Sequence, residues 1–224
     1  MKKNMVIIFL FILTINVFAA TKQSHNDLAN ILKKLHKTYD NVVTFKSDFK
    51  QISFFKTVNQ VQEYRGVLYL KKPDKMRWDY VQPEQQSIIS NGKTIWYYYP
   101  AENQVNYAKL SDKSKEKNLI FILLEGMDKI ERSFDSNIIK GSDNKHFEYL
   151  QLIPRHPNTD FNKIILTVSK KDYNIVTSHV YYVNGDISKV SFANSKMNMD
   201  LKDSIFNFVP PPGCEIFKMP TTYR

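Results

Sequence analysis

Hydrophobic and polar residues follow two different periods along the chain, one helical and one alternating. Over residues 24–39 the large apolar residues recur at helical spacing, with Ser24 or Asn26 available to cap the start. This pattern predicts one amphipathic helix. Its apolar positions are Leu28, Ile31, Leu32, Leu35 and Tyr39. A second helix is predicted over Lys115–Glu125, ended by Gly126.

Beyond the first helix most segments alternate between apolar and polar residues, which is the period of a β-strand. The first strand places on one face Val43, Phe45, Ser47 and Phe49, and the next places there Gly66, Leu68 and Leu70. Later alternating runs cover Asn137–Ile139, Phe147–Ile153, Lys163–Val168, Val176–Val183 and Ile187–Phe192. Strands at this spacing predict a mainly β chain with helices, of the α+β class, built as an antiparallel sheet, sandwich or barrel.

The dipeptide Asn91-Gly92 lies between two runs of β-forming residues and predicts a hairpin with a type I′ turn. A two-residue turn would pair Ser90 with Lys93 and Ile88 with Ile95. One face would then carry Ile88, Ile95, Tyr97 and Tyr99, and the other Ile89, Trp96 and Tyr98. Two apolar faces need two hydrophobic environments. One could be a core under a helix and the other a cavity for an apolar ligand, while a sandwich buried on both faces fits the composition equally well.

The first 19 residues have the three parts of a secretory signal peptide. A basic start at Lys2-Lys3 precedes the apolar run Met5–Leu13, and Val17-Phe18-Ala19 fits the cleavage rule. We therefore expect one exported domain over residues 20–218, with a frayed tail at 219–224. The alternative is a membrane anchor that stays attached, which Thr14 and Asn16 disfavour because they interrupt the apolar run.

Cysteine content and charge narrow the class of protein further. The single cysteine, Cys214, lies far from the predicted cleavage site and cannot form an internal disulfide, so we expect a protein that carries no lipid of its own and depends on its core. The formal net charge is +10, from 32 Lys and Arg against 22 Asp and Glu. The lysines are scattered, which favours a solvated basic surface or an acidic partner over a nucleic-acid site.

Motifs for catalysis, nucleotides or metals are weak or missing in this sequence. The stretch "NGKT" at Asn91–Thr94 lacks the first glycine of a phosphate-binding loop and lies in a strand–turn–strand context. The five histidines are widely separated, and no Gly-x-Ser-x-Gly motif exists. We therefore expect neither an enzyme nor a cofactor or metal site.

Several short motifs, taken in order, resemble the LolA-type periplasmic carriers of lipoproteins. The similarity begins with Phe45, Phe49 and Gln51 in an F-x-x-x-F-x-Q pattern. It continues in "GVLYLKKP" from Gly66, "MRWDYVQP" from Met76, "IISNGKTIWYYYP" at residues 88–100 and "FNFVPPPG" at residues 206–213. No single motif is diagnostic, but their order over nearly the whole mature chain is specific.

The resemblance implies an incomplete antiparallel β-barrel, closed by a helical lid, with an apolar interior for acyl chains. The expected cavity residues are Phe45, Phe49, Leu68, Leu70, Met76, Trp78, Tyr80, Ile88 and Ile95. Family members usually have an arginine that bonds the lid just before the first proline of this motif, and here the residue is Lys72. Lysine offers one compact ammonium group where arginine offers a planar fork of donors, so the latch would be made differently.

The resemblance also implies a cellular location and a set of partners. A family member works in the periplasm as a monomer that takes acylated lipoproteins from an ATP-driven inner-membrane transporter and passes them to an outer-membrane receptor. The main alternative is an interaction or sensor module with the same fold whose cavity is filled by its own side chains. Charge and aromatic content alone support a third reading, an exported nucleic-acid-binding protein.

Overall fold

The protein is described by a computed structural model over residues 12–111, 126–156 and 160–219. The helix predicted at Lys115–Glu125 lies outside these residues. Within them the helices are α1 (Ile12–Tyr39) and α2 (Met127–Ser133). The strands are β1 (Thr44–Phe55), β2 (Gln60–Lys71), β3 (Lys75–Gln82), β4 (Gln86–Asn91), β5 (Thr94–Tyr99), β6 (Gln104–Lys109), β7 (Phe134–Ile139), β8 (Phe147–Pro154), β9 (Phe161–Ser169), β10 (Ile175–Tyr182), β11 (Ile187–Met197) and β12 (Glu215–Lys218).

All described strands belong to one sheet in the order β12-β6-β5-β4-β3-β2-β1-β11-β10-β9-β8-β7. Every neighbouring pair is antiparallel except β12 and β6, which run parallel. The edge strands β12 and β7 do not pair with each other, so the sheet stays open. The predicted fold, mainly β with an unclosed antiparallel sheet, is therefore confirmed, while closure by a helical lid stays a prediction.

Helix α1 is longer than the helix predicted for residues 24–39, because it begins at Ile12. The sequence between the two starting points contains no glycine or proline that would stop a helix. The expected cleavage point after Ala19 falls inside α1 and remains a prediction. In the described part of the chain, no helix has both the length and the apolar character needed to cross a membrane.

The β4–β5 hairpin has a wider register than the predicted one. Ser90 pairs with Ile95, and Ile88 pairs with Tyr97, where a two-residue turn would have paired Ser90 with Lys93. The displacement along β5 is two residues, so each side chain keeps its predicted face. The division of the hairpin into two apolar faces is therefore correct although the pairing is not.

The turn of this hairpin is held by side chains. The Asn91 Oδ1 atom accepts the backbone N–H groups of Lys93 at 3.0 Å and Thr94 at 2.9 Å, and Ser90 Oγ accepts that of Gly92 at 3.1 Å. Only Gly92 has a positive φ, at 87°, whereas a type I′ turn needs two such residues. The hydrogen bonds that the Asn91 and Ser90 side chains accept therefore stabilise a turn other than the predicted type I′ turn.

Several strand boundaries differ from those that the sequence predicts. Val43 lies before β1 and is 54% exposed, so it is not part of the inward face of that strand. The sequence pattern does not predict β6 and β12, because such short strands carry little alternating pattern. The other strands overlap their predicted positions, but β1, β2 and β11 each extend well beyond the predicted stretch.

The outer face of β3–β5 is covered by the C-terminal segment at residues 201–208. Phe206 is fully buried there, in a 3₁₀ turn that contacts β3 and β4. The Phe208 ring lies 5.3 Å from that of Tyr98 and 6.2 Å from that of Trp96. This segment, which contains the 3₁₀ turn Asp203–Phe206, is therefore one of the two hydrophobic environments that the hairpin requires, in place of a core under a helix.

An ion-pair cluster holds the start of the same segment. The Asp203 carboxylate lies 2.7 Å from the Nζ atoms of both Lys71 and Lys75. Hydrogen bonds from the two lysines lower the pKa of Asp203 to about 2. The Arg77 guanidinium adds a bond to the Ile205 carbonyl oxygen at 3.2 Å.

The inner face of the sheet carries two apolar clusters. The first, called the helix-covered cluster, packs α1 and α2 against β7–β10. Its buried members are Ile31, Leu35, Met127, Ile130, Phe134, Leu150, Leu152, Phe161, Ile164, Leu166, Val168 and Val180. The second cluster lies on β1–β6 and β11 and contains the candidate functional site.

Candidate functional site

The second cluster, called the aromatic cluster, contains all nine residues that the sequence analysis expected to line a cavity. Its buried members are Phe49, Leu68, Met76, Trp78, Ile95 and Val190. Its partly buried members are Phe45, Tyr64, Leu70, Tyr80, Ile88, Tyr97, Ala108, Leu110 and Phe192. The structure therefore brings the predicted residues onto one face, and their part in binding a ligand stays a prediction.

Phe49 lies at the centre of a group of perpendicular and stacked rings. Its ring meets those of Trp78 at 5.2 Å and Tyr80 at 5.1 Å, both edge to face. Trp78 and Tyr80 are stacked on each other at 6.1 Å with an angle of 5° between their planes. Their spacing along β3 causes this stacking, because residues two apart in a strand point to the same side.

Gly66 makes room for the Phe49 ring. A Cβ atom at this position would lie 2.8 Å from Phe49 Cε1 and would collide with the Asp79 carbonyl oxygen. The absence of a side chain lets β3 and the ring approach β2 closely. This explains the glycine of the "GVLYL" motif by packing alone.

Met76 extends the aromatic cluster toward the β4–β5 hairpin. It pairs with Leu70 on β2 and with Ser90 on β4, and 1% of its surface is exposed. A flexible thioether side chain can adapt to apolar ligands of varied shape. Since more than half of the cluster is only partly buried, this face has apolar surface left to cover.

A row of polar side chains separates the two clusters on the inner face. Tyr80 Oη donates to Gln51 Oε1 at 3.1 Å, Gln51 Nε2 donates to Ser53 Oγ at 2.9 Å, and Ser53 lies 3.5 Å from Ser188 Oγ. Ser178 continues the row on β10, where its backbone pairs with Val190. We call Gln51, Ser53, Ser178 and Ser188 the polar seam.

The polar seam is not predicted from the sequence. In the sequence Gln51 stands out only as part of a motif, and the three serines look like surface serines in an alternating strand. Their common face follows from the pairing of β1 with β11 and of β11 with β10. The pattern that could have indicated the seam is a serine at an inward position between apolar inward residues. This pattern is informative only when the strand order is known, because the strand order decides which serines lie side by side.

Lys72 lies at the end of the aromatic cluster nearest to α1. Its ammonium group is 3.4 Å from the Tyr39 carbonyl oxygen and 3.5 Å from that of Asp40. Both carbonyl groups belong to the C-terminal end of α1, where a cation is stabilised by the helix dipole. The predicted latch residue thus contacts a helix that covers the sheet, and a latch function stays a prediction.

A second contact of α1 is an ionic cluster around His36. Its Nε2 lies 2.8 Å from Glu131 of α2, and its Nδ1 lies 3.0 Å from Asp40 and 3.8 Å from Asp128. Burial alone would lower the pKa of His36, but hydrogen bonds to Glu131 and Asp40 and the charges of both outweigh it. The pKa of His36 is therefore raised above its ordinary value.

We expect the stability provided by His36 to depend on pH. Because the folded protein has the higher pKa, protonated His36 stabilises it fully below the ordinary histidine pKa, and this is lost as the pH rises through the folded pKa. His36→Gln should therefore lower the urea midpoint more at about pH 5.5 than at about pH 8. An equal change at both values would contradict this assignment. His146, which pairs with Asp143 on the surface, offers His146→Gln as a control.

The profile of the family "Outer membrane lipoprotein carrier protein LolA" matches residues 40–209. Among curated proteins, the chain is similar to an outer-membrane lipoprotein carrier protein of Methylobacillus flagellatus, with 26% identity over 84% of this chain and 89% of that protein. It is also similar to one of Coxiella burnetii, with 29% identity over 94% of each chain. The matched region contains every predicted cavity residue.

Solved structures with the same fold include an uncharacterized conserved protein from Thermus thermophilus. The comparison covers 86% of this chain and 99% of that one, with a TM-score of 0.51 and 12% identity. At this identity the likeness supports the fold alone.

Proposed function

Because the chain belongs to the LolA family of outer membrane lipoprotein carrier proteins, we propose that it carries the acyl chains of lipoproteins on its aromatic cluster, from the inner membrane to an outer-membrane receptor. Carriers of this family are not enzymes. The single observation that supports the proposal most is the collection of all nine expected cavity residues in one partly covered apolar cluster.

The size of the hydrophobic effect explains why such a carrier is needed. At about 0.8 kcal/mol per methylene, three chains of roughly 16 carbons would cost on the order of 40 kcal/mol if fully exposed to water. A carrier that recovered all of this free energy would not release its cargo. An incompletely covered site, part of whose binding energy is used to separate a helix from the sheet, permits both uptake and release.

Partners and location follow from the same proposal. The cargo is an acylated lipoprotein, loaded by an ATP-driven transporter of the inner membrane and passed on to a receptor of the outer membrane. The protein acts as a monomer in the periplasm after removal of residues 1–19. Its positive net charge speeds docking on acidic partners in a salt-dependent way.

The proposal is tested by release of a lipoprotein from spheroplasts. Spheroplasts that make a radiolabelled lipoprotein are incubated with purified protein, and the label is then followed into the supernatant and onto receptor-bearing membranes. We expect label in both fractions, and lipid in mass spectra of the protein purified from periplasm. If label stays on the spheroplasts while a carrier of known activity releases it, the interaction module becomes the better account.

A second prediction concerns the Lys72 latch. Lys72→Leu removes the donor to the carbonyl groups of Tyr39 and Asp40, so the closed arrangement of α1 loses part of its stabilisation, about 1 kcal/mol. We expect delivery to the receptor to slow about fivefold, with little change in uptake. Lys72→Arg, which keeps the donor, serves as the control. Equal rates of uptake and delivery in Lys72→Leu and wild type would make Lys72 an ordinary surface charge.

A further inference from the structure

Two hydrogen-bond donors are buried on the inner face without an acceptor among the described residues. They are Ser178 Oγ, in a residue that is 6% exposed, and Trp78 Nε1, in a residue that is 8% exposed. A buried donor that makes no hydrogen bond costs about 1–3 kcal/mol, so most proteins avoid it. Both atoms can donate, and the indole nitrogen can only donate. Trp78 Nε1 therefore lacks an acceptor, and an acceptor would also satisfy the Ser178 hydroxyl, which can donate as well as accept.

Ser178 lies between the two apolar clusters. Its backbone pairs with Val190 of the aromatic cluster on one side and with Leu166 of the helix-covered cluster on the other. Ser188, diagonally opposite on β11, belongs to the hydrogen-bonded row that runs through Ser53 and Gln51 to Tyr80. The seam is thus a polar line inside an apolar surface, and its last hydroxyl group is unpaired.

We propose that the polar seam binds the carbonyl oxygens at which acyl chains join their glyceryl or amide group, with Ser178 Oγ as a donor. The inference rests on the proposed function and deepens it. An acylated ligand is apolar along its chains but presents ester and amide acceptors where the chains meet. A site for it therefore needs apolar surface beside a few hydrogen-bond donors, as the seam and the aromatic cluster provide together. The seam would fix the position of that junction, while the cluster accepts chains of varied length.

The proposal is tested with two ligands that differ in their carbonyl groups. Dipalmitoylglycerol has ester carbonyls, and dihexadecyl glycerol ether has the same chains without them. Both are delivered from the same detergent micelles and compete with N-phenylnaphthylamine fluorescence on the full mature protein. We expect wild type to prefer the diester about fivefold or more, since one hydrogen bond corresponds to a factor of that order. Ser178→Ala should remove most of this preference and leave binding of the diether unchanged.

The thermal stability of the unliganded protein gives a second, independent readout. Since Ser178→Ala removes an unsatisfied buried hydroxyl group, we expect its melting temperature to rise by a few degrees. The matched control is Ser47→Ala, which removes a buried inner-face hydroxyl that lies 2.9 Å from the Ala193 carbonyl oxygen and from Ser195 Oγ. That variant should melt at a lower temperature and keep the preference for the diester.

The possible outcomes separate this inference from the proposed function. A wild-type protein that binds both ligands equally, or a Ser178→Ala variant that keeps the full preference, would overturn the carbonyl site and leave the carrier proposal intact. A lower melting temperature in Ser178→Ala would show that its hydroxyl already has a structural partner, which also overturns the site. Failure of both ligands to displace the probe would contradict the proposed function itself.

Discussion

Replacing Met76 by glutamate is expected to weaken binding of dipalmitoylglycerol at least tenfold. Met76 lies on the inner face with 1% of its surface exposed, so a carboxylate there would lose hydration among largely apolar neighbours. Burial raises the pKa of the introduced carboxyl, and the neutral acid is tolerated better. Binding should therefore recover partly at about pH 5 relative to about pH 7.5, as measured by displacement of N-phenylnaphthylamine.

The control for this variant is Met76→Leu, which keeps volume and apolar character and should bind the ligand within about threefold of wild type. The thermal unfolding of both variants is also followed by circular dichroism. If Met76→Glu loses its cooperative transition while Met76→Leu keeps it, Met76 belongs to the permanent core. Its assignment to the binding surface would then be wrong.

Replacing Phe206 by alanine is expected to lower the free energy of unfolding by about 3–5 kcal/mol. Phe206 is fully buried against the outer side of β3 and β4, and its removal would leave a large void beneath the C-terminal segment. Urea unfolding measures the loss. The folded fraction should still bind dipalmitoylglycerol, because the aromatic cluster lies on the opposite face of the same strands.

Val209→Ala is the matched control, because Val209 belongs to the same motif but is 82% exposed. Its free energy of unfolding should stay within about 0.5 kcal/mol of wild type. If Phe206→Ala were as mild as Val209→Ala, the C-terminal segment would not be part of the core. The covering of the outer face would then need another explanation.

The fold could be predicted from sequence where local pattern and long-range packing agree. Alternation between Val43 and Phe49 and between Gly66 and Leu70 predicts two strands, which correspond to β1 and β2. Helical spacing likewise predicts the part of α1 that packs on the sheet, including Ile31 and Leu35. Where the local pattern is weak, elements were misplaced or missed, as at the start of α1 and in the short strands β6 and β12.

The hairpin shows the limit of local reasoning most clearly. Asn91-Gly92 predicted the place of the turn, and the side-chain period predicted which residues share a face. The pairing itself depended on which backbone groups Asn91 and Ser90 bind, and the sequence leaves that choice open. A displacement of two residues preserved the faces because the side-chain period of a strand is also two.

By itself, the sequence determined which apolar residues lie together on the inner face, because alternation is a local property that each strand carries in its own residues. It also provided the family resemblance, through motifs that keep their order along the chain. Only the tertiary structure decided that the other face of the hairpin is covered by Phe206 and Phe208, from a segment about a hundred residues away. It likewise decided that Gln51, Ser53, Ser178 and Ser188 form one polar seam. The physical reason is that these contacts join strands distant in sequence, and strand order and register are set by the packing of the whole sheet.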